Sequence, residues 1–232
     1  MSKAEFDAFA GEYRRLHAAN VAGSGEQPEY FAEYKIRDLA HALSVRAPRP
    51  PARILDFGSG VAPSIAYLRQ YFPAASVTCL DVSHESLKQG TKQHPEGAAF
   101  VAFDGSRIPF ADGSFDCVFA GCVFHHIDHA LHVPLLTEIR RVMTPGGAIM
   151  VYEHNPFNPL TVRAVRTCPF DANARLVRAG AMTRSLRKAG FTAALHRYRV
   201  FFPRSLALLR PLEKYLMWLP LGAQYFVICR AR

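Results

Sequence analysis

The sequence has few cysteines and no long apolar run. Its five cysteines include no pair spaced C-x-x-C, and an odd, scattered set of thiols is typical of a protein that keeps them reduced. No apolar stretch approaches the ~20 residues that a membrane-spanning helix needs. Residues 1–20 alternate charged and apolar side chains, so they lack the apolar segment of a secretory signal. We therefore expect a cytoplasmic protein.

Acidic residues are scarce in the last third of the chain. Residues 1–150 carry 14 Lys and Arg against 16 Asp and Glu, a net charge of −2. Residues 151–232 carry 14 Lys and Arg against three acids, a net charge of +11, which accounts for the overall +9. Twelve of those 14 cations are Arg, which suits two-point contact with phosphate or carboxylate. This composition favours either a solvated surface or an anionic partner.

The apolar residues form short runs that alternate with helix-like segments. Strands that alternate with helices predict a parallel sheet covered on both faces, and such sheets bind ligands beyond the carboxyl ends of their strands. We predict strands over 52–56, 76–81, 98–103, 115–122, 147–152, 194–202 and 223–229. We predict helices over 63–72, 84–93, 133–143 and 181–189, with a Thr-Pro-Gly-Gly turn before the fifth strand and a polar, Pro-rich loop after it.

The first predicted strand ends in ILDFGSG, which places a carboxylate beside a glycine turn. Gly58 and Gly60 begin the G-x-G-x-x-G pattern of a dinucleotide site, but Pro63 stands where its third glycine belongs. The carboxylate of Asp56 would face a pyrophosphate unfavourably. S-adenosylmethionine carries an ammonium and a sulfonium group, so Asp56 favours that cationic ligand over a dinucleotide.

Two further predicted strands also end in aspartate. Asp81 lies 25 residues after Asp56, where an acid binds the ribose hydroxyls in nucleotide-binding sheets. Asp104 ends the third strand, where a carboxylate is able to accept a hydrogen bond from an adenine amino group. A strand-end turn explains any one of these residues but explains three in succession poorly. The three aspartates together predict a site for an adenosyl cofactor.

At these positions the chain resembles the class I S-adenosylmethionine-dependent methyltransferases of the small-molecule "type 11" group, which includes quinone-biosynthesis enzymes. The matching stretches are ILDFGSG, CLDVS, FVAFDGSRIPFADGSFDCVF and RRVMTPGGAIMVYE, within residues 50–155. One departure is Ala62, which stands where the family usually has a third glycine. The resemblance implies a Rossmann-like seven-stranded, mostly parallel sheet with an antiparallel last strand, and S-adenosyl-L-methionine as cofactor. The expected cofactor contacts are Tyr34, Asp56, Gly58, Ser59, Gly60, Asp81, Val82, Asp104, Gly105 and Cys122.

A group of histidines follows the fourth predicted strand. His125 and His126 are adjacent and His129 and His132 come soon after, but no Glu or Cys completes a metal-binding set beside them. We therefore expect no metal ion, and similar His pairs in the family imply cofactor or loop packing. His154 follows the fifth strand, over the expected acceptor site, where a neutral imidazole takes a proton from a hydroxyl. His154 is our candidate catalytic residue, and a hydrogen-bonded loop histidine is the alternative.

We interpret the chain as one methyltransferase domain in three portions. Residues 1–48 form an N-terminal helical lid, residues 50–155 the cofactor-binding core, and residues 156–232 an acceptor-side portion with an inserted helical segment. In the lid, aromatic residues at helical spacing around Tyr34 either cover the cofactor or pack in the core. Asn155 and Asn158 flank the start of the acceptor-side portion, and they either contact the acceptor or form turns.

Residues 201–221 combine apolar side chains with cations. Such a segment roofs a pocket for an amphipathic acceptor, lies against a membrane surface, or packs as an added helix on the sheet edge. We expect methyl transfer to a small-molecule or lipid-linked acceptor that is anionic or amphipathic. A non-catalytic or RNA-binding protein on the same scaffold is the alternative. Nucleic acid is disfavoured because the C-terminal arginines lack interleaved exposed aromatics.

Overall fold

A computed structural model describes residue 7, residues 11–46 and residues 49–232. The described residues form a seven-stranded sheet in the order β3-β2-β1-β4-β5-β7-β6. Its strands are β1 (Arg53–Phe57), β2 (Ser76–Asp81), β3 (Ala99–Ala102), β4 (Phe115–Gly121), β5 (Met143–His154), β6 (Thr192–Arg199) and β7 (Gln224–Arg230). All neighbouring strands are parallel except that β7 runs antiparallel to β5 and β6. The predicted fold class is confirmed.

Helices cover both faces of this sheet. They are α1 (Tyr13–Val21), α2 (Pro28–Arg46), α3 (Ile65–Tyr71), α4 (His84–Gln93), α5 (His132–Arg141), α6 (Pro159–Thr167), α7 (Ala179–Lys188) and α8 (Glu213–Leu216). Apolar residues of α2 and α3 bury one face, and those of α5 and α7 bury the other. Of the predicted N-terminal lid, residues 1–6, 8–10 and 47–48 lie outside the described residues.

Helix α6 lies where the sequence predicts a polar, Pro-rich loop, so that prediction is wrong. Asn158 caps the helix by accepting a hydrogen bond from the amide of Thr161 at 3.0 Å, and Pro159 occupies its first turn. A proline in the first turn is compatible with a helix because its missing N–H has no intrahelical partner there. The prolines therefore mark the start of a helix rather than a loop.

Strand β5 begins earlier than the sequence predicts and contains the predicted turn. Its pairing with β4 jumps from Phe115–Met143 to Cys117–Ala148. The intervening residues therefore form an irregularity within the strand, where Gly146 adopts a φ of +79°. Beyond this irregularity β5 continues in register to the carboxyl end of the sheet, where His154 pairs with Gln224 of β7.

The inserted segment between β6 and β7 is helical but lies outside the core. A 3-10 helix over Arg204–Leu212, with a kink at Leu206, contains no buried residue and leads into α8. Two asparagines beyond β5 hold the end of the segment: Asn155 donates to the carbonyls of Pro220 and Gly222 at 3.0 and 2.7 Å, and Asn158 donates to Leu221 at 2.8 Å. The segment therefore lies at the carboxyl ends of the strands.

None of the helices in the described residues combines the length and apolar character required to cross a bilayer.

Candidate active site

The glycine turn after β1 brings backbone close to the end of β4. Gly58 has a φ of +68°, and a Cβ atom on it would lie 2.6 Å from the side chain of Val123. The amides of Gly58 and Ser59 both donate to the carbonyl of Leu80 in β2, at 2.7 and 3.2 Å. Ala62 also adopts a left-handed φ of +59°, the conformation that the family's glycine takes without strain. The turn thus holds an alanine in a left-handed conformation that favours glycine.

Asp56 is buried at the end of β1, with 2% of its surface exposed. Its Oδ2 atom has no hydrogen-bond partner among the described residues. Burial raises the pKa of Asp56 to about 7, and the negative charge of Asp81 adds to this increase while Lys35 opposes it. A buried carboxylate oxygen without a donor is suited to the ammonium group of S-adenosylmethionine, so the site fits that cofactor.

Asp81 is held at the end of β2 by backbone amides. Its Oδ2 accepts from Gly60 and its Oδ1 from Ser83, each at 2.8 Å. Burial raises the pKa of Asp81, although these amides favour its charged form. The carboxylate therefore joins the glycine turn of β1 to the end of β2, at the position predicted for ribose binding, next to Val82.

Asp104 lies on the exposed turn after β3. Its Oδ1 accepts hydrogen bonds from the amides of Ser106 and Arg107, and these bonds lower the pKa of Asp104. Gly105 in the same turn has a φ of +86°, which a residue with a side chain adopts only with strain. Asp104 is thus a turn-forming residue, and its predicted contact with the cofactor stays a prediction.

Cys122 follows β4 and contacts side chains of α2 and β7. Its sulfur accepts from Lys35 Nζ at 3.3 Å and from Gln224 Nε2 at 3.7 Å. Burial alone would raise the pKa of the Cys122 thiol, but the charges of Lys35 and His154 outweigh burial and lower it to about 7. Lys35 also opposes the rise in the pKa of Asp56, so its ammonium group influences both Asp56 and Cys122. No local sequence pattern marks Lys35 as a site residue.

A histidine cluster lies beside Cys122. It consists of His125, His126, Glu153, His154 and Asp171. His125 Nδ1 lies 2.6 Å from a carboxylate oxygen of Glu153, and His125 Nε2 lies 3.5 Å from Asp171 Oδ1. The other oxygen of Glu153 accepts from the amides of Val123 and Phe124 at 2.9 and 2.7 Å. The His125 and His154 rings are in edge-to-face contact, 5.1 Å apart.

The charged groups of the histidine cluster shift one another's pKa values. Burial would lower the pKa of His125, but Glu153 and Asp171 together raise it to about 10. Burial and the positive charge of His125 lower the pKa of His126 to about 3. Burial opposes ionisation of both acids, and the histidines nevertheless lower the pKa values of Glu153 and Asp171. No local pattern links Glu153 or Asp171 to His125, because these acids lie 28 and 46 positions away in the chain.

Tyr34 is buried, and it contacts the acceptor-side portion as well as its helix neighbours Tyr30 and Arg37. Its hydroxyl donates to Glu213 of α8, and the Arg199 guanidinium lies 5.0 Å from its ring centre. Helix α2 carries both Tyr34 and Lys35, the residue whose ammonium group donates to Cys122. The expected contact of Tyr34 with the cofactor stays a prediction. The structure shows that its hydroxyl joins α2 to Glu213, at the end of the inserted segment.

Comparison with known proteins agrees with this geometry. A family model described as a methyltransferase domain matches residues 55–151. A ubiquinone/menaquinone biosynthesis C-methyltransferase of Desulfotalea psychrophila is 29% identical over 152 residues, which is 65% of this chain and 57% of that protein. A demethylmenaquinone methyltransferase of Beutenbergia cavernae is 37% identical over 48% of this chain and 44% of its own length. The chain thus spans about half the length of these relatives.

Solved structures show the same fold at low sequence identity. A methyltransferase of Thermotoga maritima superposes over the whole of both chains with a TM-score of 0.67 and 16% identity. The matched domain contains the glycine turn, the three strand-end aspartates and Cys122. Residues 55–151 therefore resemble a methyltransferase domain, and the fold is the one that the solved methyltransferase structure shows.

Proposed function

We propose that the protein transfers a methyl group from S-adenosylmethionine to an amphipathic, anionic small-molecule or lipid-linked acceptor. One observation carries the choice of acceptor. All three acids of residues 151–232, namely Glu153, Asp171 and Glu213, are buried. None of these three acids therefore offers an exposed carboxylate to the 14 cations of this part of the chain, of which Arg175, Arg199 and Arg210 form ion pairs with described acids of the first 150 residues. An anionic acceptor meets a favourable field on this side of the molecule.

The exposed surface on the acceptor side is also apolar. Nine of the eleven large apolar residues exposed in the described chain lie within residues 157–221. We name these nine, with nearby exposed cations, the amphipathic surface. It comprises Phe157, Leu160, Leu206, Leu208, Leu209, Leu212, Tyr215, Trp218 and Leu221 together with Arg163, Arg166, Arg204 and Lys214. Apolar groups beside cations suit a molecule with a hydrophobic body and an anionic group, and they suit peripheral contact with an anionic membrane.

An open groove of about 560 Å³ lies within this surface. Phe157 and Val162 contribute apolar walls, and Arg163 and Arg166 contribute guanidinium groups. Pro156, which lines the groove, follows His154 by two positions in the chain. This arrangement supports an acceptor whose anionic group binds the arginines and whose reactive atom reaches towards the histidine cluster. Two of the relatives act in quinone biosynthesis, as their names state, and quinones are apolar molecules.

The cofactor side of the reaction uses the glycine turn and the strand-end acids. Asp56 would bind the ammonium group and Asp81 the ribose hydroxyls. S-adenosylmethionine supplies a methyl group bound to a positively charged sulfur, and loss of that methyl leaves a neutral thioether. The acceptor atom forms the new bond to carbon and gives up a proton. We assign that proton to His154, which is half-buried and interacts with Cys122.

The experiment is a methyl-transfer assay with matched acceptor pairs. We expect labelled methyl to enter long-chain polyprenyl phosphates or carboxylated aromatics with alkyl chains, and to enter their uncharged analogues at least tenfold more slowly. His154→Ala should lower kcat by about 10²–10⁴ while calorimetry shows unchanged binding of S-adenosylhomocysteine. His129→Ala, an exposed histidine nearby, is the control. Equal rates for charged and uncharged acceptors, or transfer to RNA alone, would contradict the proposed acceptor class.

A further inference from the structure

The histidine cluster brings together donor atoms of the kind that bind zinc. One nitrogen each from His125 and His154 and a carboxylate oxygen of Asp171 all lie within 4.8 Å of one another. The sequence disfavours a metal ion because no Glu or Cys completes a binding set beside the histidines, but the fold brings Asp171 next to them.

The 3.5 Å distance between Asp171 Oδ1 and His125 Nε2 is compatible with both atoms binding one ion. Oδ1 lies 3.5 Å from His125 Nε2 and 3.3 Å from His126 Nε2, and neither contact gives it a well-directed hydrogen bond. Donor atoms bound at 2.0–2.1 Å to a tetrahedral Zn²⁺ lie about 3.3–3.4 Å apart. Asp171 is 4% exposed, so this oxygen is a buried acceptor that points into the cluster.

The surroundings of His125 resemble those of a metal-bound imidazole. Its Nδ1 atom contacts Glu153 at 2.6 Å, which directs Nε2 towards Asp171. Metal-bound histidines usually donate their second ring N–H to a carboxylate in this way, which fixes the tautomer and the ring orientation. Glu153 is itself fixed by two backbone amides, so the orientation is built into the ends of β4 and β5.

We propose that His125, His154 and Asp171 bind one Zn²⁺ ion, with a fourth position open towards the acceptor. Two imidazoles and one carboxylate favour Zn²⁺ over Mg²⁺ or Ca²⁺, which prefer oxygen ligands alone. Three protein ligands with an open position are typical of catalytic rather than structural zinc. His154 is the half-buried member of the set, and its donor atom lies within 4.8 Å of the other two.

The ion's role in catalysis rests on the proposed function. Zn²⁺ at this position would bind the acceptor's oxygen and lower its pKa, and His154 would then act as a ligand rather than as a free base. Metal binding is measured without any acceptor, so its failure leaves methyl transfer through a free His154 untouched.

The test is stoichiometric metal binding by the full chain. After treatment with a chelator, wild-type protein is equilibrated with Zn²⁺, desalted and analysed for bound metal. We expect one ion per chain, and a tetrahedral visible spectrum when Co²⁺ replaces Zn²⁺. His154→Ala and Asp171→Asn should lose the ion, Glu153→Gln should bind it 10–100-fold more weakly, and His129→Ala should bind it as the wild type does.

Two results would overturn the zinc site. One is wild-type protein that retains no stoichiometric ion and shows no tetrahedral Co²⁺ spectrum. The other is loss of metal from His129→Ala to the same extent as from Asp171→Asn. The Co²⁺ spectrum of the wild type keeps the test decisive even if a variant fails to fold, and circular dichroism identifies such a variant.

Discussion

At the scale of single residues, the buried acids differ in how their oxygens are satisfied. Glu153 accepts two backbone amides and contacts an imidazole, and Asp38 accepts two bonds from Arg199 and one from Tyr152. Asp56 is as deeply buried, but one of its oxygens has no donor in the described chain. A buried carboxylate without donors destabilises the protein in its charged form, and a cationic ligand removes that cost.

Asp56 therefore gives a prediction about pH. Its pKa is about 7 in the folded chain against an ordinary 3.8, so the folded state holds this proton more tightly than the unfolded state. The stability that this contributes is complete below the ordinary pKa and is lost as the pH rises to about 7. We expect Asp56→Asn to abolish this loss, so that between pH 5 and pH 8 the variant gains about 2–3 kcal/mol relative to wild type. Urea denaturation without cofactor at both pH values measures it.

The same substitution should act in the opposite direction on the ligand. At pH 8 the wild-type carboxylate is charged, and Asp56→Asn should weaken S-adenosylhomocysteine binding by about tenfold or more, because a charge-assisted bond is lost. NAD should bind neither protein measurably. A variant that keeps both the wild-type pH dependence and the wild-type affinity would show that Asp56 has neither role.

At the scale of secondary-structure elements, α2 and α8 meet through one buried acid. Glu213 of α8 accepts the hydroxyl of Tyr34 from α2, and its other oxygen accepts the amides of Phe201 and Phe202 at 2.9 and 3.3 Å. Glu213 is 5% exposed, so these donors lie away from water. These polar contacts join the inserted segment to α2, and Arg210 of the segment also lies over the Tyr30 ring.

Removing Glu213 should release the inserted segment. Glu213→Ala leaves buried donors without an acceptor, and each such donor costs on the order of 1–3 kcal/mol. We expect a lower Tm and faster proteolysis within residues 201–222, with little change in S-adenosylhomocysteine affinity because the glycine turn is on other elements. The neighbouring exposed residue offers the control Lys214→Ala. Proteolysis at the wild-type rate in Glu213→Ala would show that other contacts hold the segment.

At the scale of the whole molecule, charge and apolar surface are unevenly distributed. The first 150 residues have a net charge of −2, whereas residues 151–232 have a net charge of +11 and no exposed acid. The amphipathic surface lies in this positive part, where Leu208 is 96% and Trp218 is 72% exposed. Contiguous exposed apolar groups mark interaction surfaces, and the adjacent cations specify an anionic partner.

This distribution predicts binding to anionic vesicles. We expect the protein to co-sediment with vesicles that contain anionic lipid, to bind neutral vesicles weakly, and to dissociate as salt rises, because exposed charges are screened within about 10 Å at 0.1 M salt. The double variant Leu208→Ser, Trp218→Ser should reduce binding several-fold. Val45→Ser removes an apolar residue that is 67% exposed on α2, outside the amphipathic surface, and should bind like the wild type. Equal loss in both variants, or salt-independent binding, would contradict this surface.

The sequence by itself determined the sheet and most of its helices, and it predicts the cofactor side of the site. Strands, caps and glycine turns depend on neighbours within a few residues, so the pattern around Asp56 and Asp81 is readable without the fold. Helix α6 was missed because its prolines also fit a loop. Only the tertiary structure brought together the residues of the proposed acceptor side. Lys35 contacts Cys122, 87 positions later in the chain, and Asp171 contacts His125, 46 positions earlier. Such contacts follow from how distant elements pack at the carboxyl edge of the sheet, and no local pattern encodes them.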